Sequence, residues 1–338
     1  MEGLQLTPIT ILGAGSWGTA LALYLARRGQ VVRLWSVENS EITAMLAERT
    51  NNRFLPGFDF PNEIQPTANL AEAVKDIQDV LVVVPSIGFR ETLTMLKPLI
   101  NPSIRIICAT KGLDADTGQL LSDIVAQVLG KEIPFAMLSG PSFAKEVAAG
   151  LPSAVVIASK HKNFVDDLTV RFNSPIFRIT PSDDVIGVEV GGVTKNVIAI
   201  ATGISDGMEL GSNARSALIT EGLNEIIRLG VALGGKLETF IGLSGIGDLI
   251  LTATDNQSRN RRLGLALGKG LDLQEAEREI GQVVEGKRNA ELVAMLGQRY
   301  NIDMPVCNMV WSILQEKFSA AEAIKQLLSR SAKSEVKV

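Results

Sequence analysis

The sequence has few of the residues that most often carry metal or acid–base chemistry. Its 338 residues include one histidine, His161, in the hydrophilic stretch SKHKN, and two cysteines, Cys108 and Cys307, each in an apolar run. A single histidine argues against a zinc site and against a histidine general base. Because the two cysteines lie far apart in the sequence, we expect buried, reduced thiols of a cytoplasmic protein, and neither a disulfide nor a metal pair.

Extremes of charge and hydropathy are also absent. The net charge is −4, with 21% charged residues, which gives no reason to expect nucleic-acid or membrane binding. No run reaches the roughly 18 uninterrupted apolar residues that a membrane span needs. The N-terminus MEGLQLTP lacks the basic start and apolar core of a signal peptide. With 46% hydrophobic residues, the chain is expected to form two globular domains in the cytoplasm.

The most informative feature is a glycine triplet within residues 9–29, ITILGAGSWGTALALYLARRG. An apolar strand precedes it and an alanine- and leucine-rich helix follows. Gly13 permits the tight turn, Gly15 lets the backbone approach a pyrophosphate, and Gly18 lets helix and strand pack closely. The helix amides point at the anion. A glycine-rich turn without ligand is the alternative, but a second strand at residues 31–35 completes the context of a dinucleotide site.

The residues after the second strand bear on which dinucleotide binds. Glu38 lies twenty residues after Gly18, where NAD sites place the acidic residue that holds the ribose 2′-hydroxyl. No Arg or Lys follows the strand until Arg49. Glu38 could instead cap a helix predicted at residues 40–49, and Arg33 within the strand could face either way. NAD is therefore favoured over NADP.

Strands and helices alternate through the first half of the chain. Residues 51–69 are rich in Pro, Gly and Asn and predict a long irregular loop that folds over the cofactor. Further strands are predicted at residues 79–84, 105–109, 135–139, 154–158 and 177–180. This pattern predicts an α/β, Rossmann-like, doubly wound and mainly parallel sheet, with ligands outside the carboxyl ends of its strands. Residues 85–86, Lys111 and residues 140–142 lie at such ends.

From about residue 191 the pattern is helical throughout. Helices are predicted at residues 194–206, 213–233, 247–254, 261–268, 289–300, 305–314 and 320–328, with a polar tail at 333–338. The chain is thus expected to divide into a dinucleotide-binding domain, residues 1–190, and an all-helical substrate domain, residues 191–338.

Two lysines and one acidic residue are candidates for chemistry. Lys195 stands in the otherwise apolar helix VGGVTKNVIAIATG, where it is either directed to the surface or held in a dry pocket that lowers its pKa. Lys111 at a strand end could reach an anion or polarise a carbonyl, or be a surface residue. Asp248 in SGIGDLILT is either a helix N-cap or close to the substrate.

Two further segments suggest anion and cofactor contacts. SRNRR, residues 258–262, places three arginines in four positions at a helix start, which suits phosphate oxygens. A solvated basic face is the alternative. Glu285, in the apolar turn QVVEG, has no obvious partner in the sequence.

Taken together, these segments resemble the bacterial NAD(P)-dependent glycerol-3-phosphate dehydrogenases. The matching motifs occur in family order over nearly the whole chain: GAGSWGTALA, VVPS, ATKGL, LSGPSFAKEV, GGVTKNVIAIATGISDGMELGSNARSALITEGLNE, LSGIGDLILT, SRNRRLG and VVEG. The resemblance implies reversible hydride transfer between NAD(P)H and dihydroxyacetone phosphate, giving sn-glycerol 3-phosphate for glycerophospholipid synthesis.

The resemblance also implies roles for individual residues. Lys195 would be the proton acceptor from the C2 hydroxyl, with Lys111 assisting. The residues implied to line the substrate site, besides Lys195, are Lys111, Gly140, Ser142, Asp248, Ser258, Arg259 and Asn260. The residues implied to contact the cofactor, besides the glycines and Glu38, are Ser16, Trp17, Lys111, Ala144, Arg259, Val283 and Glu285.

The sequence departs from the family pattern at one place, and two other functions are also considered. Bacterial members often carry a basic residue or histidine shortly after the tryptophan of the second strand, where this chain has Ser36, Val37 and Glu38. A 3-hydroxyacid or 6-phosphogluconate-type dehydrogenase would share the domain plan and a catalytic lysine, and a non-enzymatic NADH sensor would not need Lys195. The expected partner is a small-molecule substrate, and the apolar helical domain is compatible with a homodimer.

Overall fold

The computed structural model describes residues 7–323. The chain divides into two compact units. The first comprises Met1–Thr110 and Leu121–Val185, and the second comprises Lys111–Leu120 and Ile186–Val338. Segment 111–120 thus packs with the second unit although it follows a strand of the first. The division into functional domains at residue 190 stays a prediction.

The first unit contains one large sheet and one small one. In its described residues the strands are β1 Ile9–Leu12, β2 Val32–Trp35, β3 Thr50–Asn51, β4 Leu55–Asp59, β5 Ile64–Thr67, β6 Asp79–Val82, β7 Arg105–Cys108, β8 Phe135–Ser139, β9 Ser153–Ala158 and β10 Phe177–Ser182. The large sheet has the order β10-β9-β8-β7-β6-β1-β2-β5. Every neighbouring pair is parallel except β8 with β9. The predicted doubly wound, mainly parallel sheet is confirmed.

The central strand of this sheet is β1, which pairs with β2 on one side and β6 on the other. All four of its residues are buried. A parallel strand covered on both faces is expected to be apolar at successive positions and not alternating, because each face meets a layer of helices. This is why ITIL and DVLV are recognisable as strands in the sequence.

The prediction of an irregular loop at residues 51–69 is wrong. The segment contains most of the antiparallel β3–β4 pair and the edge strand β5, which runs parallel to β2. Pro66 is tolerated in β5 because an edge strand has no neighbour on its outer side. Ile64 and Pro66 alternate inward, and Phe60 packs into the core of the first unit. Packing therefore overrode the turn-forming composition.

The α-helices of the first unit, in the part of the chain that the structure describes, are α1 Ser16–Ala26, α2 Asn39–Glu48, α3 Leu70–Val74, α4 Phe89–Leu96, α5 Leu121–Val128, α6 Ala144–Ala148 and α7 Lys162–Phe172. Of these, α1 is almost entirely buried, from Gly18 to Ala26. Its Ala- and Leu-rich sequence suits a helix enclosed on most sides.

The second unit is helical in the residues described. Its helices are α8 Val185–Gly207, α9 Gly211–Ala232, α10 Leu237–Phe240, α11 Asp248–Thr254, α12 Arg259–Gly268, α13 Leu273–Ile280, α14 Glu285–Arg299 and α15 Pro305–Leu314. Helix α13 was not predicted from the sequence, although Asp272 and Glu275 form a capping box at its start. The predicted helix at 320–328 extends beyond the described residues, and the predicted tail at 333–338 lies outside them.

Helices α8 and α12 cross with their backbones in close contact. A Cβ atom on Gly203 of α8 would lie 2.2 Å from the Arg261 carbonyl oxygen, and one on Gly264 of α12 would lie 2.1 Å from the Ile200 carbonyl oxygen. Only glycine allows this separation. The close crossing brings the first residues of α12 against the middle of α8.

Two stretches among residues 7–323 are long and apolar enough to span a membrane by length and composition alone, Val185–Gly207 and Leu237–Thr254. The first is α8, and 94% of its most apolar window is buried inside the protein, as in a core helix. The second comprises α10, a π-helical turn at Leu243–Gly247, and α11, which begins at the buried, charged Asp248.

Candidate active site

The glycine turn of the first unit has the geometry that its sequence predicts. Gly13 has φ +115°, and a Cβ there would lie 2.8 Å from the backbone of Val83 and Val84. A Cβ on Gly18 would lie 1.9 Å from the Gly13 carbonyl oxygen, so a side chain would separate helix from strand. A Cβ on Gly15 would have no atom within 4 Å. The turn is therefore closed at Gly13 and Gly18 and open at Gly15, where a pyrophosphate would approach.

The first residues of α1 add polar groups to this opening. Ser16 Oγ donates a hydrogen bond of 2.7 Å to the Phe54 carbonyl oxygen. The indole Nε1 of Trp17 is buried and has no hydrogen-bond partner in the part of the chain that the structure describes. An open backbone cradle, a helix N-terminus and an unsatisfied donor together fit a phosphate-bearing dinucleotide.

Glu38 lies at the N-cap position of α2, but its side chain makes no capping hydrogen bond. The carboxylate is exposed beyond the end of β2. The capping alternative therefore has no hydrogen bond in its support. Arg33 donates to the carbonyl oxygens of Glu72, at 2.9 Å, and Lys75, at 2.5 Å, at the end of α3. The guanidinium of Arg33 is therefore occupied by hydrogen bonds to backbone carbonyl oxygens.

Three further predicted residues lie after β8 in the first unit. Gly140 has φ +143°, and a Cβ there would lie 2.9 Å from Val155 Cα. The hydroxyl of Ser142 donates to the Gly140 carbonyl oxygen at 3.0 Å. Ala144 is the first residue of α6. They occupy the carboxyl end of a sheet strand, as predicted.

The second unit brings both candidate lysines onto one carboxylate. Lys195 lies in the middle of α8 with 5% of its surface exposed, which excludes the surface-directed alternative. Its Nζ donates to Asp248 Oδ1 and, at 2.8 Å, to Thr252 Oγ1. Lys111 Nζ donates to the other oxygen, Asp248 Oδ2, at 2.6 Å. Asp248 thus pairs with both lysine side chains. It is the first residue of α11, after the N-cap residue Gly247, so it does not occupy the capping position.

Thr252, which was not among the predicted site residues, also belongs to this cluster. Its hydroxyl donates to the Asp248 carbonyl oxygen at 2.6 Å and accepts from Lys195 Nζ. The i, i+4 spacing of Asp248 and Thr252 on α11 places both on one helix face, so the spacing could have indicated it.

Burial and charge set the proton affinities of this cluster. Burial lowers the pKa of Lys195 from 10.5 to about 7, although Asp248 raises it, and the neighbouring Lys111 lowers it further. Burial raises the pKa of Asp248, but the two ammonium groups outweigh burial and hold it below its ordinary value. Near neutral pH, Asp248 is ionised and Lys195 can exist in either protonation state.

An amide network surrounds the main chain of Lys111. The side-chain amides of Asn196 and Asn289 both donate to the Lys111 carbonyl oxygen, at 3.5 and 3.3 Å. Asn260 Nδ2 donates to Asn196 Oδ1 at 2.8 Å, and Asn260 Oδ1 accepts from the Gly286 backbone N–H at 2.9 Å. Asn260 therefore links α12, α8 and the start of α14.

The structure separates the three arginines of SRNRR. Arg259 donates to Gln282 Oε1 at 3.3 Å. Burial lowers the pKa of its guanidinium, while the Glu285 carboxylate raises it. Glu285 therefore does have a charged neighbour, contrary to the impression from the sequence. Val283, in the same turn, is 53% exposed.

The prediction that all three arginines of SRNRR bind one phosphate is wrong for Arg261. The side chain is buried, pairs with Asp206 at 2.6 Å and donates to the Ala253 carbonyl oxygen at 3.1 Å. Ser258 caps α12 by accepting from the Arg261 backbone N–H. Arg262 is exposed. Helical rotation of about 100° per residue sends adjacent arginines to different surroundings, so one phosphate cannot collect all three.

The histidine and the two cysteines do not belong to the cluster around Lys195 and Asp248. His161 is exposed at the start of α7, and Cys108 and Cys307 are buried and form no disulfide in the described residues. Within residues 7–323, no group of three or more His, Cys, Asp or Glu residues could hold a metal ion.

Comparison with known proteins gives the same family along the chain. Profiles described as NAD-dependent glycerol-3-phosphate dehydrogenase N-terminus and C-terminus match residues 8–165 and 184–325. The chain is 53% identical to a glycerol-3-phosphate dehydrogenase (NAD(P)+) of Coxiella burnetii strain RSA 331, covering 97% of this chain and 98% of that protein. It is 51% identical to one of Pectobacterium atrosepticum, covering 97% of each.

A solved structure is similar over the same extent. The 2.1 Å crystal structure of the Coxiella burnetii glycerol-3-phosphate dehydrogenase superposes with a TM-score of 0.94 at 52% identity. The match covers 96% of this chain and 99% of that one.

Proposed function

The chain belongs to the family of NAD-dependent glycerol-3-phosphate dehydrogenases, and from this premise we propose that Lys195 exchanges the proton on the C2 oxygen of the substrate. The established reaction is hydride transfer between NAD(P)H and dihydroxyacetone phosphate, giving sn-glycerol 3-phosphate. Membership of this family removes the 3-hydroxyacid, 6-phosphogluconate-type and sensor alternatives. The observation that carries the proposal is a buried lysine held by Asp248 and Thr252.

The hydrogen bonds of Lys195 suit proton exchange. As an ammonium group it has three protons, of which Asp248 and Thr252 accept two. We assign the third to the substrate oxygen. When dihydroxyacetone phosphate is reduced, this proton passes to the C2 oxygen as it gains charge, and in the reverse direction the neutral amine takes the hydroxyl proton. The bound nicotinamide supplies or accepts the hydride.

A pKa near the working pH makes both directions accessible. A base with the ordinary pKa of a lysine would remain protonated at pH 7, whereas one at about 7 is half protonated there. The Asp248 carboxylate raises the pKa of Lys195 and so keeps part of this lysine protonated despite burial. Lys111, on the other Asp248 oxygen, supports the developing negative charge in reduction.

The pH dependence of kcat tests this proposal. Because reduction needs the ammonium form of Lys195, kcat for dihydroxyacetone phosphate reduction should fall as pH rises above about 7. Because oxidation needs the amine, kcat for glycerol 3-phosphate oxidation should fall as pH drops below the same value. Saturating both substrates excludes ionisation of free substrate. Flat profiles between pH 6 and 9 in both directions would contradict the proposal.

We propose that Arg259 binds the substrate phosphate, with Ser258 and Asn260 beside it. A guanidinium offers two parallel donors to phosphate oxygens, and burial strengthens their attraction. The roles of Gly140 and Ser142 at the substrate, and of Ser16, Trp17, Ala144, Val283 and Glu285 at the cofactor, stay predictions from the family resemblance. Lys111 and Arg259 are predicted to serve both ligands.

We propose that NADH is the better cofactor, because the exposed Glu38 repels a 2′-phosphate and can accept from a 2′-hydroxyl. The expected result is a higher kcat/KM for NADH than for NADPH with dihydroxyacetone phosphate as the second substrate. A preference for NADPH by about tenfold or more would refute the argument from Glu38.

The cellular setting is also proposed. The family resemblance supports a cytoplasmic enzyme that supplies glycerol 3-phosphate for glycerophospholipid synthesis. Exposed apolar side chains on the second unit, among them Val231 and Ile241, support a homodimer.

A further inference from the structure

Hydrogen bonds at the end of β2 link Ser36 to Glu38 and Glu41. Ser36, the residue after β2, is buried, and its hydroxyl donates to Glu41 Oε2 at 2.9 Å. The backbone N–H of Glu38 donates to Ser36 Oγ at 3.3 Å. Ser36 therefore fixes both carboxylate-bearing residues of this corner relative to the strand end.

Arg53 continues this series of hydrogen bonds. Its NH1 pairs with Glu41 Oε1 at 2.7 Å, and its guanidinium carbon lies 5.0 Å from the centre of the Phe54 ring. The side chain is nevertheless 68% exposed. The pair with Glu41 occupies one of the five N–H donors of a guanidinium, so the group can bind a second anion without leaving Glu41.

The segment that carries Arg53 is tied to the glycine turn. The Asn51 side-chain amide donates to the Ala14 carbonyl oxygen at 2.8 Å, and Ser16 Oγ donates to the Phe54 carbonyl oxygen at 2.7 Å. These two bonds hold residues 51–54 beside the proposed pyrophosphate position. Arg53 is thus joined to the glycine turn through its backbone and to the end of β2 through Glu41.

Two other arginines near the end of β2 donate hydrogen bonds to the backbone. Arg33 donates to backbone carbonyl oxygens at the end of α3, and Arg49 donates to those of Ile64, at 3.1 Å, and Pro61, at 2.6 Å. Arg53 differs from both in presenting its guanidinium to solvent at the end of β2.

We propose that Arg53 contacts the 2′-phosphate of NADPH and is the residue that lets this chain use NADPH despite Glu38. The inference rests on the proposed dinucleotide site and specifies its discrimination between the two cofactors. With NADH, Glu41 neutralises Arg53 and Glu38 meets the ribose hydroxyl. With NADPH, the guanidinium bridges Glu41 and the phosphate and offsets the repulsion from Glu38.

The test measures binding without turnover. Adenosine 2′,5′-bisphosphate and 5′-AMP are titrated calorimetrically into the wild-type protein, Arg53→Gln and Arg53→Lys. Arg53→Gln should weaken binding of the bisphosphate by about ten- to a hundredfold and leave 5′-AMP binding unchanged. Arg53→Lys, which keeps the charge but loses the planar fork, should fall between. The kcat/KM for NADPH should drop by a factor similar to that for the bisphosphate, while that for NADH stays the same.

Two further variants sharpen the result. Lys75→Gln removes an exposed positive charge from the same unit and should leave both nucleotides unaffected. Glu41→Gln frees Arg53 from its counter-ion and should tighten bisphosphate binding. Unchanged bisphosphate binding in Arg53→Gln, or an equal loss for 5′-AMP, would overturn the proposal. Either result would leave NADH turnover, and with it the role of Lys195, standing.

Discussion

Replacing Lys195 by methionine is expected to lower kcat by about a thousandfold in both directions, because general acid–base catalysis by a positioned group contributes ~10²–10⁴-fold. Methionine is nearly isosteric and uncharged, so it can occupy the same space in α8. Asp248 retains Lys111 as its counter-ion, which limits the damage to the buried cluster. The measurement is steady-state kcat with NADH and dihydroxyacetone phosphate.

The matched control is Lys269→Met, which removes an exposed lysine of the same unit and should leave kcat unchanged. NADH binding, followed by nicotinamide fluorescence, should survive in both variants, since Lys195 is proposed to exchange a proton and not to hold the cofactor. A Lys195→Met protein that keeps its thermal transition and at least a tenth of the wild-type kcat would exclude Lys195 as the proton-exchanging group.

Replacing Asp248 by asparagine is expected to lower kcat at pH 7 by about a hundredfold or more and to move the pH dependence. The carboxylate raises the pKa of Lys195, so its loss should take this pKa below about 7. The decline of the reductive kcat should therefore begin at a lower pH than in the wild-type protein. The variant also leaves two lysines without their shared counter-ion.

The same substitution should destabilise the protein, and more strongly at pH 6 than at pH 9. Breaking a buried ion pair costs ~3–5 kcal/mol when the remaining charge stays buried. The folded-state pKa of Lys195 lies below its unfolded value of 10.5, so the unfolded chain binds more protons between about pH 7 and 10.5 and stability rises with pH across that window. Because Asp248→Asn lowers the folded-state pKa of Lys195, the pH range over which stability rises extends to lower pH in this variant. Urea denaturation at pH 6 and pH 9 measures the difference.

Glu238→Gln provides the control, because it neutralises an exposed carboxylate of the second unit and should change neither kcat nor the pH midpoint. If Asp248→Asn folds and shows the wild-type midpoint, the carboxylate does not set the proton affinity of Lys195. That result would leave the ion pair as a purely structural feature.

Local patterns were sufficient to predict much of the fold. The strand at residues 9–12 and the helix after Gly15 follow from an apolar run, a glycine turn and helix-forming residues that act over a few positions. Strand β5 was missed because its residues resemble a turn by composition and only pairing with β2 makes them a strand. Helix α13 was missed although its capping box is local.

The candidate site was predictable to a smaller degree. A lysine in an apolar helix is visible in the sequence, but whether it is exposed or buried depends on the elements that pack around it. The same is true of the arginines in SRNRR, since adjacent residues of a helix point in different directions and the neighbours in each direction come from distant parts of the chain. Arg261 is consequently buried and pairs with Asp206, a residue 55 positions earlier in the chain.

By itself, then, the sequence determined the dinucleotide-binding turn, the order of the strands along the chain and the family, because these depend on short-range pattern and on motifs. Only the tertiary structure decided that Lys195 and Lys111 share Asp248, which lies 53 positions after the first and 137 after the second. It also decided that Arg33 and Arg49 donate to backbone carbonyl oxygens, while Arg53 pairs with Glu41 and stays 68% exposed. Burial and charge pairing set proton affinity, and both are properties of neighbours in space.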